Sequence, residues 1–164
     1  MSKSKEPFKP VVPAVQTQPE LTVTSVILGI VLAVVFGAAN AYLGLRVGLT
    51  ISASIPAAVI SMGIVRVILR KKSILENNMV QTIGSAGESL AAGAIFTLPA
   101  LFLWAEEGKM ETPGMLEIAI LALCGGLLGT FFMIPLRRAL IVQEHGVLPY
   151  PEGSACAKVL IAGD

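Results

Sequence analysis

Residues 21–45 read LTVTSVILGIVLAVVFGAANAYLGL, a run of 25 residues without a charged side chain. A helix needs about 20 apolar residues to cross a hydrocarbon core of about 30 Å, so this run is long enough to span a bilayer. Three further stretches that hold few or no charges follow at 47–65, 77–105 and 118–136. The sequence therefore predicts an all-α, polytopic membrane protein with about four transmembrane helices.

The composition of the whole chain supports this interpretation. Hydrophobic residues make up 54% of the chain and charged residues 14%, whereas a soluble domain carries about 25% charged residues. The net charge of +1 and the lack of basic clusters interleaved with aromatic residues indicate no nucleic-acid partner. The two cysteines and the single histidine show no metal-binding spacing, so no metal site, cofactor or disulfide framework is expected.

Basic residues fall in alternate connections between the apolar stretches. They lie in the N-terminal tail and after the second and fourth stretches: Lys3, Lys5, Lys9, Arg66, Arg70, Lys71, Lys72, Arg137 and Arg138. Because Lys and Arg favour the cytoplasmic side in short loops, the N-terminus is expected in the cytoplasm. Residues 1–20 are rich in proline and polar side chains and are expected to form a disordered cytoplasmic tail. A cleavable signal peptide is the weaker interpretation, because three more apolar stretches follow the first.

The third stretch differs from the others because it carries polar side chains at helical spacing. One helical face carries, at steps of four, four and three, Asn77, Gln81, Ser85 and Glu88, and this face is broadened by Asn78 and Thr82. A polar face exposed to hydrocarbon costs several kcal/mol for each unpaired group, so it is expected to face the bundle interior or water. Ser73 and Glu76 have capping-box spacing and predict the start of this helix. Glu88, about 22 Å further on, would lie inside the membrane. A carboxylate there indicates either a functional site or the partner of a cation on another helix.

Small residues mark the faces on which the helices are expected to touch one another. Gly29, Gly37 and Gly44 recur along the first stretch, and Gly125 and Gly129 form a GxxxG motif in the fourth. Both patterns allow close approach of two helix backbones within lipid.

The last 20 residues predict a short helix of a different kind. Pro151 suits a first helical position, Glu152 complements the helix dipole, and Gly163 would end the helix after about a dozen residues. Such a helix is too short to span, so a C-terminal re-entrant half-helix is expected, with a surface helix as the alternative. Free backbone N–H groups at its start could bind a substrate. The candidate residues there are Tyr150, Glu152, Gly153 and Ser154.

Three separated motifs in this sequence resemble the oligopeptide transporter (OPT) family. They are NAYLGLRVGLTISASIP at 40–56, ENNMVQT at 76–82 and YPEGSACA at 150–157. The chain is most similar to the bacterial branch of this family, near the yellow stripe-like transporters of plants. The resemblance implies that residues 21–164 are the N-terminal part of a much longer transmembrane domain, as a fragment or as one product of a split gene. The expected location is a bacterial plasma (inner) membrane, with the lipid bilayer and the remaining helices of the transporter as partners.

The resemblance also implies a function, which is secondary, proton-coupled transport of oligopeptides. Glu88 would be the proton-binding group, while the other polar residues of the third stretch and those at 150–154 would line the substrate path. Two alternatives remain open: uptake of metal complexes with siderophore- or nicotianamine-like chelators, and a non-transporting accessory membrane subunit. An enzyme is not expected, because the sequence shows no paired acids, nucleophile–base pair or HExxH-type motif. No catalytic residue is assigned.

Overall fold

The structure is a computed structural model that describes residues 10–13, 15–68, 73–144 and 146–163. The described residues form five α-helices: α1 (Val23–Val47), α2 (Ser54–Gly63), α3 (Ile74–Glu106), α4 (Met115–Arg137) and α5 (Pro151–Gly163). Two π-helical turns prolong α2 and α4: Ile64–Ile68 and Arg138–Gln143. No strand occurs in these ranges, which confirms the all-α prediction.

Three of the helical segments are long and apolar enough to cross a membrane. They are α1 with 25 residues, α3 with 33, and α4 together with its π-helical turn with 29. The second apolar stretch behaves differently from the prediction, because its helix between Ser54 and Arg66 is shorter than a span. The polytopic prediction is confirmed, and the second of its four predicted spans is a shorter helix preceded by non-helical chain.

The directions of α1 and α3 show which way the second apolar stretch runs. Thr22 Oγ1 donates a hydrogen bond of 2.5 Å to Glu76 Oε1 at the start of both helices, and Gly44 contacts Ile95 near the other end. The two helices therefore run parallel, so the segment between them must return along their whole length. Non-helical residues 48–53 can cover up to about 20 Å, and the following helix covers about as much again. Together they can recross a core of about 30 Å.

The contact between α1 and α3 is made by glycines, as predicted for α1. A Cβ on Gly29 would lie 2.7 Å from Ile83 Cβ, and a Cβ on Gly87 would lie 2.7 Å from the backbone oxygen of Ala33. These positions admit glycine alone without a shift of one helix. α3 has 33 residues and continues unbroken past Gly84 and Gly87.

α4 stands apart from this pair. None of its residues is buried, and nothing lies within 4 Å of a Cβ placed on Gly125 or Gly129 in the described part of the chain. Its predicted GxxxG contact is therefore not made by the residues that the structure describes. Apolar exposure on this scale is typical of a surface that faces lipid or other helices.

α5 packs beside α2, in the same direction. Ser52 donates a hydrogen bond to Glu152 Oε1 where both helices begin, and Arg66 Nη1 donates to the Gly163 carbonyl, at 2.6 Å, where both end. Buried side chains join the two helices to the start of α3: Ala58, Ile74, Cys156 and Leu160. With 13 residues, α5 is about 20 Å long, which agrees with the length expected of a half-helix.

Candidate functional site

Glu88 lies on the buried face of α3 and is paired with an amide of α1. Only 8% of its surface is exposed, and its Oε1 accepts a hydrogen bond of 2.9 Å from Asn40 Nδ2. A carboxylate in so apolar a helix pair needs such a donor, because an unpaired buried charge is very costly. Within the described ranges, the hydrogen-bond partner of Glu88 is therefore the neutral amide of Asn40 rather than a cation.

Asn40 joins this carboxylate to the chain that leads into α2. Its Oδ1 accepts from Ile51 N at 3.0 Å, and its Nδ2 donates to Ile51 O at 2.9 Å as well as to Glu88. Both amide donors and the acceptor are thus used, and Asn40 is fully buried. Ile51 lies level with Asn40, about 10 Å back from the end of α1, so α2 begins partway along the helix pair.

The polar residues of α3 divide between two faces, rather than sharing the single face that their spacing predicted. Asn77 is buried, and its Oδ1 accepts a hydrogen bond of 2.8 Å from Ser61 Oγ of α2. Together with Glu88 it faces the other helices. Gln81 and Ser85 are half-buried, whereas Asn78 and Thr82 are exposed.

The exposed side of α3 contributes to a cleft of about 550 Å³. Its walls come from α3, α5, the first residue of α2 and part of the N-terminal segment. The polar side chains at its surface are Ser54, Asn78, Gln81 and Glu152, and the apolar ones include Ile74, Cys156 and Leu160. A volume of this size, with a few polar groups on an apolar wall, is typical of sites for small molecules.

The structure thus brings together candidates that are distant in sequence. Asn78 and Gln81 of the third stretch and Glu152 and Gly153 of the last one line the same cleft. Tyr150 and Ser154 lie next to it in sequence, and the Tyr150 hydroxyl donates a hydrogen bond of 3.0 Å to the Leu140 carbonyl. Asn77, Thr82, Ser85 and Glu88 are not among the residues that line it.

Short connections link the cleft to Glu88. Glu152 accepts a hydrogen bond from Ser52, and Ser52 directly follows Ile51, which Asn40 holds beside Glu88. The same non-helical segment therefore contacts Glu152 directly and is joined to Glu88 through Asn40. This arrangement could transmit a change at Glu88 to the wall of the cleft.

Sequence reasoning did not identify Asn40, Ser52 or Ser61 as members of this site. The available signal was the polar side chain of Asn40 inside a stretch without charges, because a polar residue in a span usually has a partner on another helix. Glu76 was expected to cap α3. Its backbone N–H does donate to Ser73 Oγ, but its carboxylate accepts from Thr22 and so joins α3 to α1.

A second cavity lies on the other half of the helix pair. It measures about 520 Å³ and is lined by apolar residues of α1 and α3, with Glu106 as its one acidic residue. Such a lining suits helix packing better than recognition of a polar solute. No group of three or more His, Cys, Asp or Glu residues within the described ranges could hold a metal ion.

Comparison with known proteins places this helix assembly in a family. The family model for the OPT oligopeptide transporter protein matches residues 20–164. A Haemophilus influenzae protein described as "Putative oligopeptide transporter" is 46% identical over 123 residues, which cover 75% of this chain and 18% of that protein. A Saccharomyces cerevisiae protein with a similar description is 30% identical over 157 residues, covering 86% of this chain and 21% of that protein.

The chain thus spans about a fifth of the length of these two relatives. No solved structure matches it. The match of the family model covers nearly all of the chain, including α1 to α5 and the residues of the cleft. The chain therefore belongs to the OPT oligopeptide transporter family.

Proposed function

We propose that this chain contributes part of the substrate path of a secondary, proton-coupled transporter of oligopeptides. The observation that carries the proposal is the cleft of about 550 Å³ between α3 and α5. It combines amide side chains, a carboxylate and an apolar wall. A peptide has the same mixture, since its backbone donates and accepts hydrogen bonds while many of its side chains are apolar.

Each part of the cleft has a role in this proposal. Asn78 and Gln81 can donate to and accept from a peptide backbone, and Glu152 can accept from a peptide ammonium group. The apolar wall formed with Cys156 and Leu160 would take an aliphatic side chain. The path is proposed to open to the cytoplasm at this end, because the basic connections follow the positive-inside pattern with the N-terminus inside a bacterial plasma membrane.

Glu88 is the proposed proton-binding residue. It is buried at about the middle of α3 and interacts with Asn40. A neutral partner supports this role, because Asn40 Nδ2 can donate to either the ionised or the protonated carboxyl group. A carboxylate paired with a cation would be far harder to protonate.

The test is uptake of a labelled tripeptide into proteoliposomes by the complete transporter that contains this segment, with an imposed proton gradient. Glu88→Gln preserves the shape of the side chain and its acceptor for Asn40, but binds no proton. It should abolish accumulation driven by the gradient and retain exchange of internal for external peptide.

Glu111→Gln is the matched control, because it makes the same chemical change at an exposed residue that does not line the cleft. A Glu88→Gln variant that accumulates peptide against its gradient would refute proton coupling through Glu88. Uptake of a metal–chelate complex, without uptake of the tripeptide, would refute the proposed substrate.

A further inference from the structure

Part of the N-terminal segment forms a wall of the cleft. Val11 and Val12 are among the residues that line it. Val12 is half-buried and packs against the buried cluster that includes Ile74, Cys156 and Leu160. A valine outside any helix therefore covers part of the apolar wall proposed for the substrate.

Local contacts hold this segment near the cleft. Gln16 N donates to the Pro13 carbonyl at 2.9 Å, which closes a turn directly after the segment. Ser73 Oγ then donates to the Pro19 carbonyl at 2.8 Å, at the start of α3. Val12 is thus tethered by only a few residues to the helix that forms one wall of the cleft. Such a tether gives a local concentration in the millimolar range.

The chemistry of the segment resembles that of a small peptide ligand. Residues 10–13 read Pro-Val-Val-Pro, which is uncharged, non-helical and closed at each end by proline. Proline restricts the backbone and lacks an N–H donor, so this segment loses little conformational freedom when it binds. The side chain of Val12 already packs against the apolar wall of the cleft.

We propose that residues 10–13 compete within the molecule for the apolar wall of the peptide cleft and narrow the cleft until a peptide displaces them. This inference rests on the proposed function of the cleft and adds a substrate class, short peptides with an aliphatic side chain. Such a peptide would place its side chain where Val12 packs and its backbone near Asn78 and Gln81. Competition by the segment would then raise the peptide concentration that is needed to fill the cleft.

The chain contains its own reporter for the test. Cys156 is 5% exposed, lines the cleft and belongs to the cluster under Val12. Cys124 of α4 is exposed, so Cys124→Ser leaves Cys156 as the only thiol in this sequence. The rate at which a small, water-soluble methanethiosulfonate labels Cys156 is measured in nanodiscs, in the complete transporter that contains this segment, with any further cysteines replaced.

Val12→Asp should accelerate labelling about tenfold, the change that corresponds to loss of the contacts of one half-buried valine. Val15→Asp is the matched control, because Val15 follows the segment by two residues and is 96% exposed. It should leave the rate unchanged. Deletion of residues 2–13 should accelerate labelling at least as much as Val12→Asp, and it tests the same contact without adding a charge.

Trivaline provides the second measurement. It should slow labelling of the deleted chain, and the intact chain should need several times more trivaline for equal protection. Equal labelling rates in the intact and deleted chains would overturn the proposal. Equal protection of both by trivaline would keep the peptide cleft and overturn competition by the segment. Faster labelling after deletion, without protection of either chain, would overturn both this inference and peptide binding in the cleft.

Discussion

Replacement of Asn40 by leucine is predicted to destabilise the helix assembly, because this one side chain makes three hydrogen bonds. Asn40→Leu removes the donor to Glu88 and both bonds to the Ile51 backbone. A buried polar group that loses its partner costs about 1–3 kcal/mol, although hydrogen bonds between membrane helices average less. We therefore expect the free energy of unfolding to fall by about 2–5 kcal/mol.

Aspartate at position 40 distinguishes the contribution of side-chain shape to stability from the contribution of hydrogen bonding. Asn40→Asp keeps the size of the side chain but places an oxygen where Nδ2 now donates to Glu88. Two acceptors then face each other without a donor between them, and like charges at that distance repel. Adding Glu88→Gln restores a donor, since the Gln amide can donate to the new carboxylate. The double variant should recover about 1 kcal/mol or more relative to Asn40→Asp.

The assay is equilibrium unfolding of the chain in mixed micelles by SDS, followed through the fluorescence of Trp104, the one tryptophan of the sequence. Asn78→Leu is the matched control, because it makes the same chemical change at an exposed position of α3. It should alter the free energy of unfolding by less than about 0.5 kcal/mol. The reasoning fails if the leucine variants at 40 and 78 are equally stable, or if Glu88→Gln gives Asn40→Asp no rescue.

Two further predictions concern packing and topology. Gly29→Val should weaken the contact between α1 and α3 by about 1–3 kcal/mol, because a Cβ there meets a facing side chain at 2.7 Å. Gly93→Val, where nothing lies within 4 Å, should cost little in the same SDS titration, and similar losses for both would contradict glycine-specific packing. Cysteines introduced at Val47 and Gly108, in a background without Cys124 and Cys156, should react with an impermeant thiol reagent outside sealed cells. A cysteine at Arg138 should be protected, and its labelling from outside would refute the proposed orientation.

The long helices could be predicted from the sequence because their signals are local. Runs of residues without charge predicted α1 and α4, and Ser73 caps α3 as its spacing with Glu76 indicated. The glycines of α1 also gave a usable signal, because a periodic row of small residues indicates the contacting face whatever the partner helix is.

The second apolar stretch shows where this reasoning stops. Hydropathy reports that residues 47–65 avoid water, but it cannot distinguish a full helix from non-helical chain followed by a short helix. Six of these residues, 48–53, lie outside any helix. Asn40 of α1 stabilises that conformation through its bonds to the Ile51 backbone. A contact between two elements of this kind cannot be predicted from the hydropathy of neighbouring residues.

The division of the polar residues of α3 could not be predicted for a related reason. Helical spacing assigned Asn77 and Gln81 to one face, but their neighbours decide which of them is buried. Ser61 of α2 pairs with Asn77, while Gln81 borders the cleft formed with α5. Both partners belong to short helices whose positions depend on the tertiary fold.

The return segment at 48–53 also constrains the order in which the protein can be assembled during synthesis. Non-helical backbone is not tolerated in lipid, so this segment cannot enter the hydrocarbon alone. Ile51 finds its partner in α1, which is already made, whereas the partner of Ser52 is Glu152, synthesised 100 residues later. Until α5 emerges, one side of the segment has to be shielded by the translocation machinery or by water. Insertion of residues 48–53 is therefore expected to be completed only after α5 has been translated.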